Sequence, residues 1–271
     1  MDPRVAMTIA GSDSGGGAGL QADLKTFAAL GVFGTSVVTA VTAQNTAAVV
    51  AVDPVRPELV EAQMEAVLSD LAVRAVKTGM LATSATVATV ARWAAEGRLP
   101  NLVVDPVLVA STGRPLLDED GVAAYRALLL PHAAVVTPNT REAALLAGHP
   151  VEGLDDMVRA AHRLADGGAA VVVVKGGHLG GPESPDVVLM DGALEVLDGP
   201  RVASPNDHGT GCTLSAATAA LLARGATAFD AVVGAKAFVT AALRGSATWR
   251  LGAGHGPLDH FGWGAGDDAA P

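Results

Sequence analysis

Cys212 is the only cysteine in the chain, and it stands in the run HGTGCTLSAA, directly ahead of a long apolar stretch. With no second thiol there is neither a disulfide within the chain nor a multi-thiolate metal site. Gly209, Thr210 and Gly211 precede a segment of helical composition, Thr210–Ala223. Such a start leaves the first helical N–H groups unpaired, beside glycines that let a ligand come close. The partial positive charge there attracts phosphate or a developing anion. A thiol in that field is expected to have a lowered pKa and to act as base or nucleophile. The plain alternative is a buried cysteine serving as a small hydrophobe.

Other residues invite similar pairs of readings. AGSDSGGGAGLQADLKTF, Ala10–Phe27, is a second glycine-rich turn into a helix, and it matches neither the P-loop nor the dinucleotide fingerprint. Asp23, expected in the first turn of that helix, could accept a ligand hydroxyl or simply favour the helix end. Gln44 closes TAQ with an amide that donates and accepts, the pattern that matches an aminopyrimidine edge. Met80, after KTG, could press a thioether on a flat ring or fill core. Asn139 and Glu142, three apart in TPNTRE, could hold a hydrated Mg²⁺ or cap a helix. Asp105 in VVDPV points an acid towards the same edge. Lys175, ahead of Gly-Gly, could neutralise transferring phosphoryl oxygens.

The elements that must position these groups alternate regularly. Short β-branched runs (Val5–Gly11, Thr35–Ala43, Ala48–Val55, Ala169–Gly177) alternate with amphipathic or alanine-rich segments. The latter include Leu20–Leu30, Pro57–Leu71, Ser84–Glu96, Asp118–Leu130, Leu154–Asp166 and Ala226–Leu243. Continuous apolar strands between helices predict an α/β fold with a mostly parallel sheet covered on both faces. Asp186–Gly199 predicts a hairpin turning at Asp191–Gly192, at one edge. One domain over residues 1–263 is expected, with residues 264–271 frayed. In such a sheet ligands bind beyond the carboxyl ends of the strands, where the unusual loops fall.

Composition narrows the partners. Half of the 271 residues are hydrophobic and 17% are charged, which excludes a disordered chain. The net charge of −10, without a Lys/Arg cluster, argues against nucleic acid or an anionic membrane as partner. A bound phosphate must therefore be held by local amides and cations. The apolar runs fall well short of the roughly 20 residues of a membrane span. The N-terminal run is too short for a signal peptide, so a cytoplasmic location is expected.

Taken in order, TIAGSDSGGGAGLQADLKTF, VTAVTAQNT, VKTGML, VVDPVLVASTG, VVTPNTREA, VVVKGGH, HGTGCTLSAA and GHGPLDHF resemble the hydroxymethylpyrimidine/phosphomethylpyrimidine kinases of thiamine biosynthesis, in the ribokinase-like superfamily. The resemblance runs from Thr8 to Phe261. It implies a three-layer α/β/α sandwich and a homodimer. It also implies transfer of the ATP γ-phosphate to 4-amino-5-hydroxymethyl-2-methylpyrimidine, then to the monophosphate, giving the diphosphate. Gly11, Asp23, Gln44, Met80 and Val107 would then meet the pyrimidine. Asn139, Lys175 and Thr210 would serve ATP, and Glu142 and Asp105 would serve Mg²⁺. Gly209 and Gly211 would form an anion hole beside Cys212, which would face the accepting hydroxyl. Many superfamily members carry aspartate at the cysteine's place. Family members also often carry lysine in the segment where Ser111 stands, so a loop cation is missing for the second phosphorylation. A pyridoxal kinase of the same fold and a non-catalytic pyrimidine-phosphate sensor are the alternatives.

Overall fold

The computed structural model describes residues 2–108, 117 and 119–265. Among these described residues nine strands form one sheet: β1 (Arg4–Ser12), β2 (Val32–Gln44), β3 (Val49–Pro54), β4 (Val73–Thr78), β5 (Leu102–Val104), β6 (Val135–Val136), β7 (Val171–Lys175), β8 (Asp186–Met190) and β9 (Ala193–Leu197). Their order is β3-β2-β1-β4-β5-β6-β7-β8-β9. The middle six are parallel, β3 at one edge and β8 near the other run against them, and β9, antiparallel to β8, runs with the six again. The expected hairpin is present: Asp191 and Gly192 take φ of 50° and 78°, the pair of positive angles that a two-residue primed turn needs.

Among the described residues eight α-helices cover the sheet: α1 (Gly19–Ala29), α2 (Pro57–Leu68), α3 (Ser84–Ala95), α4 (Glu119–Ala124), α5 (Thr140–Ala147), α6 (Leu154–Asp166), α7 (Thr210–Ala223) and α8 (Ala228–Ser246). Strand periodicity divides the core. Met7, Ile9, Val76, Val104 and Val136 pack with residues of α2, α3, α5 and α6. Their neighbours Ala6, Ala75, Val103 and Val135 pack with residues of α1, α7 and α8. Each central strand is thus apolar at successive positions because both its faces are buried.

Two expectations change. The segment read as one helix to Leu130 is broken: α4 passes into a π-helical turn, Tyr125–Leu129, and a 3-10 turn holding Pro131. Proline cannot continue a helix interior, and the widened turn buries Tyr125, whose hydroxyl donates to the Gly79 carbonyl at 3.2 Å. Gly264, expected in the frayed tail, donates its N–H to Asp259 Oδ2 at 2.7 Å. Ser111 and residues 266–271 lie outside the described residues. Among the described residues no helix is long and apolar enough to cross a membrane.

Helix α7 carries the glycine-threonine-glycine-cysteine start, and its own composition sets where it sits. Ala216, Ala219, Ala220 and Ala223 join the core cluster containing Ala6 and Ala75. Leu214 and Ala217 meet Ala235, Val239 and Ala242 of α8. Methyl-sized side chains on both the helix and the strands bring their backbones close together, and buried alanine leaves no slack for a larger group. Ala216→Leu is expected to destabilise the fold by about 1–3 kcal/mol through overpacking. An unchanged urea midpoint would show that α7 has room to move.

Candidate active site

The carboxyl ends of the parallel strands and the first turns of α5 and α7 open into one cavity of about 970 Å³. Gly11, Gln44, Met80 and Val107 line it, as do Asp105, Asn139, Glu142 and Lys175. Gly209, Thr210, Gly211 and Cys212 line it too. Contacts fix where the α7 start stands. A Cβ on Gly209 would come 1.9 Å from the Gly17 carbonyl, and one on Gly211 would come 3.1 Å from Lys175 Nζ. The first turn of α7 therefore bridges the glycine loop ahead of α1 and the strand-end lysine.

Gly209 is the residue that ends the loop, at φ +89° and without a side-chain cap for α7. Only glycine suits both that angle and that contact. Thr210 does not cap the helix either, since its hydroxyl donates backwards to Asp207 O at 2.6 Å. The Thr210 N–H also reaches back to Asp207 O, at 3.2 Å, so the Gly211 and Cys212 amides are the ones without a backbone acceptor at the start of α7. Gly11 is small for a further reason: a Cβ there would meet Met80 Cε at 2.3 Å.

Around this start the structure collects charge. Lys175 Nζ lies 3.0 Å from Asp105 Oδ1, and Asp105 also accepts from Ser215 Oγ at 3.2 Å. Burial opposes both charges, but each holds the other: the Asp105 carboxyl is lowered by Lys175 and Lys77, and Lys175 is raised by Asp105 and Glu142. Asn139 and Glu142 form the capping box of α5. Asn139 Oδ1 accepts from the Arg141 and Glu142 amides, and Glu142 Oε2 accepts from the Asn139 amide at 2.8 Å. Glu142 also lines the cavity. Burial, with Asp105 nearby, pushes the Glu142 carboxyl up to about 8 despite Lys175. Among the described residues no three His, Cys, Asp or Glu side chains converge as a metal cage. Two carboxylates beside an anion site nevertheless fit Mg²⁺, which takes few protein ligands and completes its shell with water and phosphate.

Two expectations about this region are corrected. Asp23 does not line the cavity. It lies in the second turn of α1, fully buried, with its carboxylate 2.9 Å from Lys77 Nζ and 2.6 Å from Thr8 Oγ1. A carboxylate so engaged has no oxygen to offer a ligand hydroxyl. Cys212 does not have a lowered pKa. Burial, reinforced by Asp23 and Asp105, pushes the thiol up to about 11, although Lys77 and the Gly19 amide pull the other way. Desolvation outweighs the helix field here.

Sequence reasoning missed Lys77. It sits on β4, fully buried, reaches the cavity wall and has its ammonium held charged by Asp23. The signal was present: a lysine at an inward position of the apolar run RAVKT requires a buried partner. Asp13 and His208 were missed too. Asp13 accepts the Gly15, Gly17 and Ala18 amides and lies 3.0 Å from His208 Nε2. Burial works against the Asp13 carboxylate, but these donors hold its pKa below the ordinary range. His208 in turn stands 3.3 Å from the Gln44 side chain. The late motif GHGPLDHF braces this end: His255 bonds Asp207 at 2.7 Å, and Gly256 O accepts the His208 amide at 3.1 Å.

The sequence and fold can be set beside known proteins. The family model for phosphomethylpyrimidine kinase matches residues 13–259. A hydroxymethylpyrimidine/phosphomethylpyrimidine kinase of Rhizobium meliloti is 52% identical over 259 residues, covering 95% of this chain and 97% of the relative. The pyridoxal kinase of Staphylococcus aureus, solved with AMP-PCP and pyridoxal, superposes with a TM-score of 0.88 at 35% identity, over 97% of this chain and 95% of that one. A phosphomethylpyrimidine kinase structure from Clostridium difficile gives 0.77 at 38% identity, over 87% and 97%. The fold is the mostly parallel α/β/α sandwich of the ribokinase-like kinases, and the chain belongs to the phosphomethylpyrimidine kinase family.

Proposed function

We propose that this chain transfers the γ-phosphoryl group of ATP to the hydroxyl of hydroxymethylpyrimidine, and then phosphorylates the monophosphate. One observation carries the reading: the uncapped start of α7 stands between Gln44, beside His208, and the Lys175–Asp105–Glu142 cluster, inside one cavity. The pyrimidine would lie against Gly11, Met80 and Val107, with its amino edge on Gln44. The nucleotide would lie by Asn139, Thr210 and Lys175, along an apolar wall that includes Val202, Val239 and Leu243. Glu142 and Asp105 would hold Mg²⁺, which supplies charge neutralisation at the phosphates when bound. A paired assembly belongs to the same proposal, supported by the exposed Val41 and Val50 on the β2–β3 edge; sedimentation equilibrium measures it.

Phosphoryl transfer demands mainly alignment and stabilisation of spreading negative charge. Here the Gly211 and Cys212 amides at the start of α7 and the Lys175 ammonium would provide that charge at the cavity wall. A thiol near pKa 11 is almost wholly protonated at neutral pH. Cys212 cannot take the hydroxyl's proton while it keeps its own, so it serves as base only through its small thiolate fraction, whose charge the Lys77 ammonium offsets. Otherwise the hydroxyl's proton passes to a phosphoryl oxygen as the new bond forms. Cys212 is a minor contributor in this scheme, and Lys175 a major one.

Mass spectrometry of the products formed from hydroxymethylpyrimidine and from pyridoxal with Mg-ATP tests the assignment. A pyrimidine carrying one and then two phosphates is expected; phosphorylated pyridoxal with untouched pyrimidine would make the second acceptor the true one. Lys175→Ala is expected to lower kcat about 10²–10³-fold, and Cys212→Ala only about tenfold with its pH profile unchanged from 6 to 8. A flattened profile in Cys212→Ala would restore the cysteine as a working base. Glu142 gives a stability signature in the ligand-free protein. Its folded pKa of about 8 exceeds the ordinary 4.5, so the folded state keeps a proton that the unfolded state has released. Thermal stability should then fall as pH rises from about 4.5 to about 8. Glu142→Gln, which keeps an acceptor for the Asn139 amide, should remove that part of the slope in calorimetry.

A further inference from the structure

We propose that His208, held by Asp13, is a positioning residue that fixes which way the Gln44 amide faces, and that this makes the pocket select an aminopyrimidine over the corresponding oxopyrimidine. The proposal rests on the reading of Gln44 as the group that meets the substrate's edge.

Gln44 Nε2 and Asp13 Oδ2 both lie within reach of one atom, His208 Nε2, at 3.3 Å and 3.0 Å. Asp13 settles what that atom carries. Its Oδ2 already accepts from the Gly17 and Ala18 amides at 3.1 and 2.8 Å, and Oδ1 from the Gly15 amide at 2.8 Å. An oxygen surrounded by donors is a carboxylate and can only accept. His208 Nε2 must then bear a proton, whether the ring is neutral or cationic. Two donors do not face each other across 3.3 Å, so the amide lies with Oε1 towards His208, sharing in a three-centre bond the one Nε2 proton that Asp13 also accepts, and its NH₂ group away. A half-turn of an amide exchanges its N and O without moving the rest of the side chain.

Little else in the neighbourhood can adjust. Ser14 Oγ bonds both the N–H and the C=O of Gln44, at 2.7 and 2.8 Å, which pins its backbone. The His208 ring is wedged against Gly17, where a Cβ would come 2.5 Å from Cδ2. Asp13 itself is almost fully buried. The amide is thus presented in one orientation: NH₂ as donor, and Oε1 with one lone pair left to accept.

That order reads a ring nitrogen bearing a lone pair, next to an exocyclic amino group. An oxopyrimidine offers the reverse, a ring N–H beside a carbonyl, and a freely turning amide would read both equally well. A site whose donors and acceptors are fixed rejects the mismatched ligand by far more than a shape-based pocket does.

The test has a spectroscopic and a kinetic arm. Long-range ¹H–¹⁵N spectra of the full chain, labelled at histidine and free of substrate, are expected to show His208 protonated at Nε2. Protonation at Nδ1 alone would overturn the amide orientation. Competing turnover of 4-amino-5-hydroxymethyl-2-methylpyrimidine and its 4-oxo analogue should favour the amino compound by about 10³ or more. His208→Leu should cut that ratio at least about tenfold, through KM for the pyrimidine with KM for ATP unmoved, and His208→Gln, which keeps a donor, should restore most of it. An unchanged ratio in His208→Leu would refute the selectivity role. If neither pyrimidine is turned over, the kinase reading fails and takes the selectivity with it, while the spectrum still judges the amide orientation by itself.

Discussion

The site depends on a contact between two stretches of backbone. Gly209, ending the loop before α7, sits so close to the Gly17 carbonyl that no Cβ fits between them, and its φ of +89° admits glycine almost alone. Gly19, at the start of α1, is pressed in the same way on Gly11 O, where a Cβ would stand 2.4 Å away. Two helix starts far apart in sequence are thereby set against one another at the carboxyl edge of the sheet. These helix starts and the ends of β1 and β7 then share one cavity. The apolar sheet supplies rigidity, and the glycines supply proximity.

Such proximity concentrates charge in a protein that is acidic overall. Lys77 and Lys175 are both buried by their surroundings, each beside a carboxylate that keeps it ionised. A buried pair of this kind adds little net stability, yet removing one partner strands the other. Lys77 and Asp23 therefore act as a fixed unit beneath the cysteine. The same burial that preserves these pairs keeps the Cys212 proton in place. Between a helix field that favours thiolate and desolvation that opposes it, desolvation wins, which is why the proposed scheme rests on amides and ammonium groups.

Much of this was legible in the sequence. Strand and helix periodicity placed the elements well, Leu154–Asp166 and Thr210–Ala223 among them, because both faces of the sheet are covered and the apolar runs are long. The motifs at strand ends brought most of the proposed site residues to one cavity. The reading failed where one element's chemistry is settled by another. Asp23 looked available until Lys77 of β4 appeared beside it. Cys212 looked activated because burial cannot be read from a helix start. Asp13 and His208 are 195 positions apart, and neither suggests the other in one dimension. The antiparallel run of β3 was equally hidden, since an edge strand and an inner one can share the same apolar letters.

The brace that follows α8 bears on the order in which the site is completed. Gly254 packs against Thr46 O, and the next two residues hold Asp207 and His208 in place. During synthesis the sheet and the glycine loops emerge first and can begin to fold. The loop carrying His208 gains its support only when the stretch after α8 has been translated. A nascent polypeptide therefore carries a scaffold without a finished pocket until that last stretch has emerged, and only then acquires grip on its ligands.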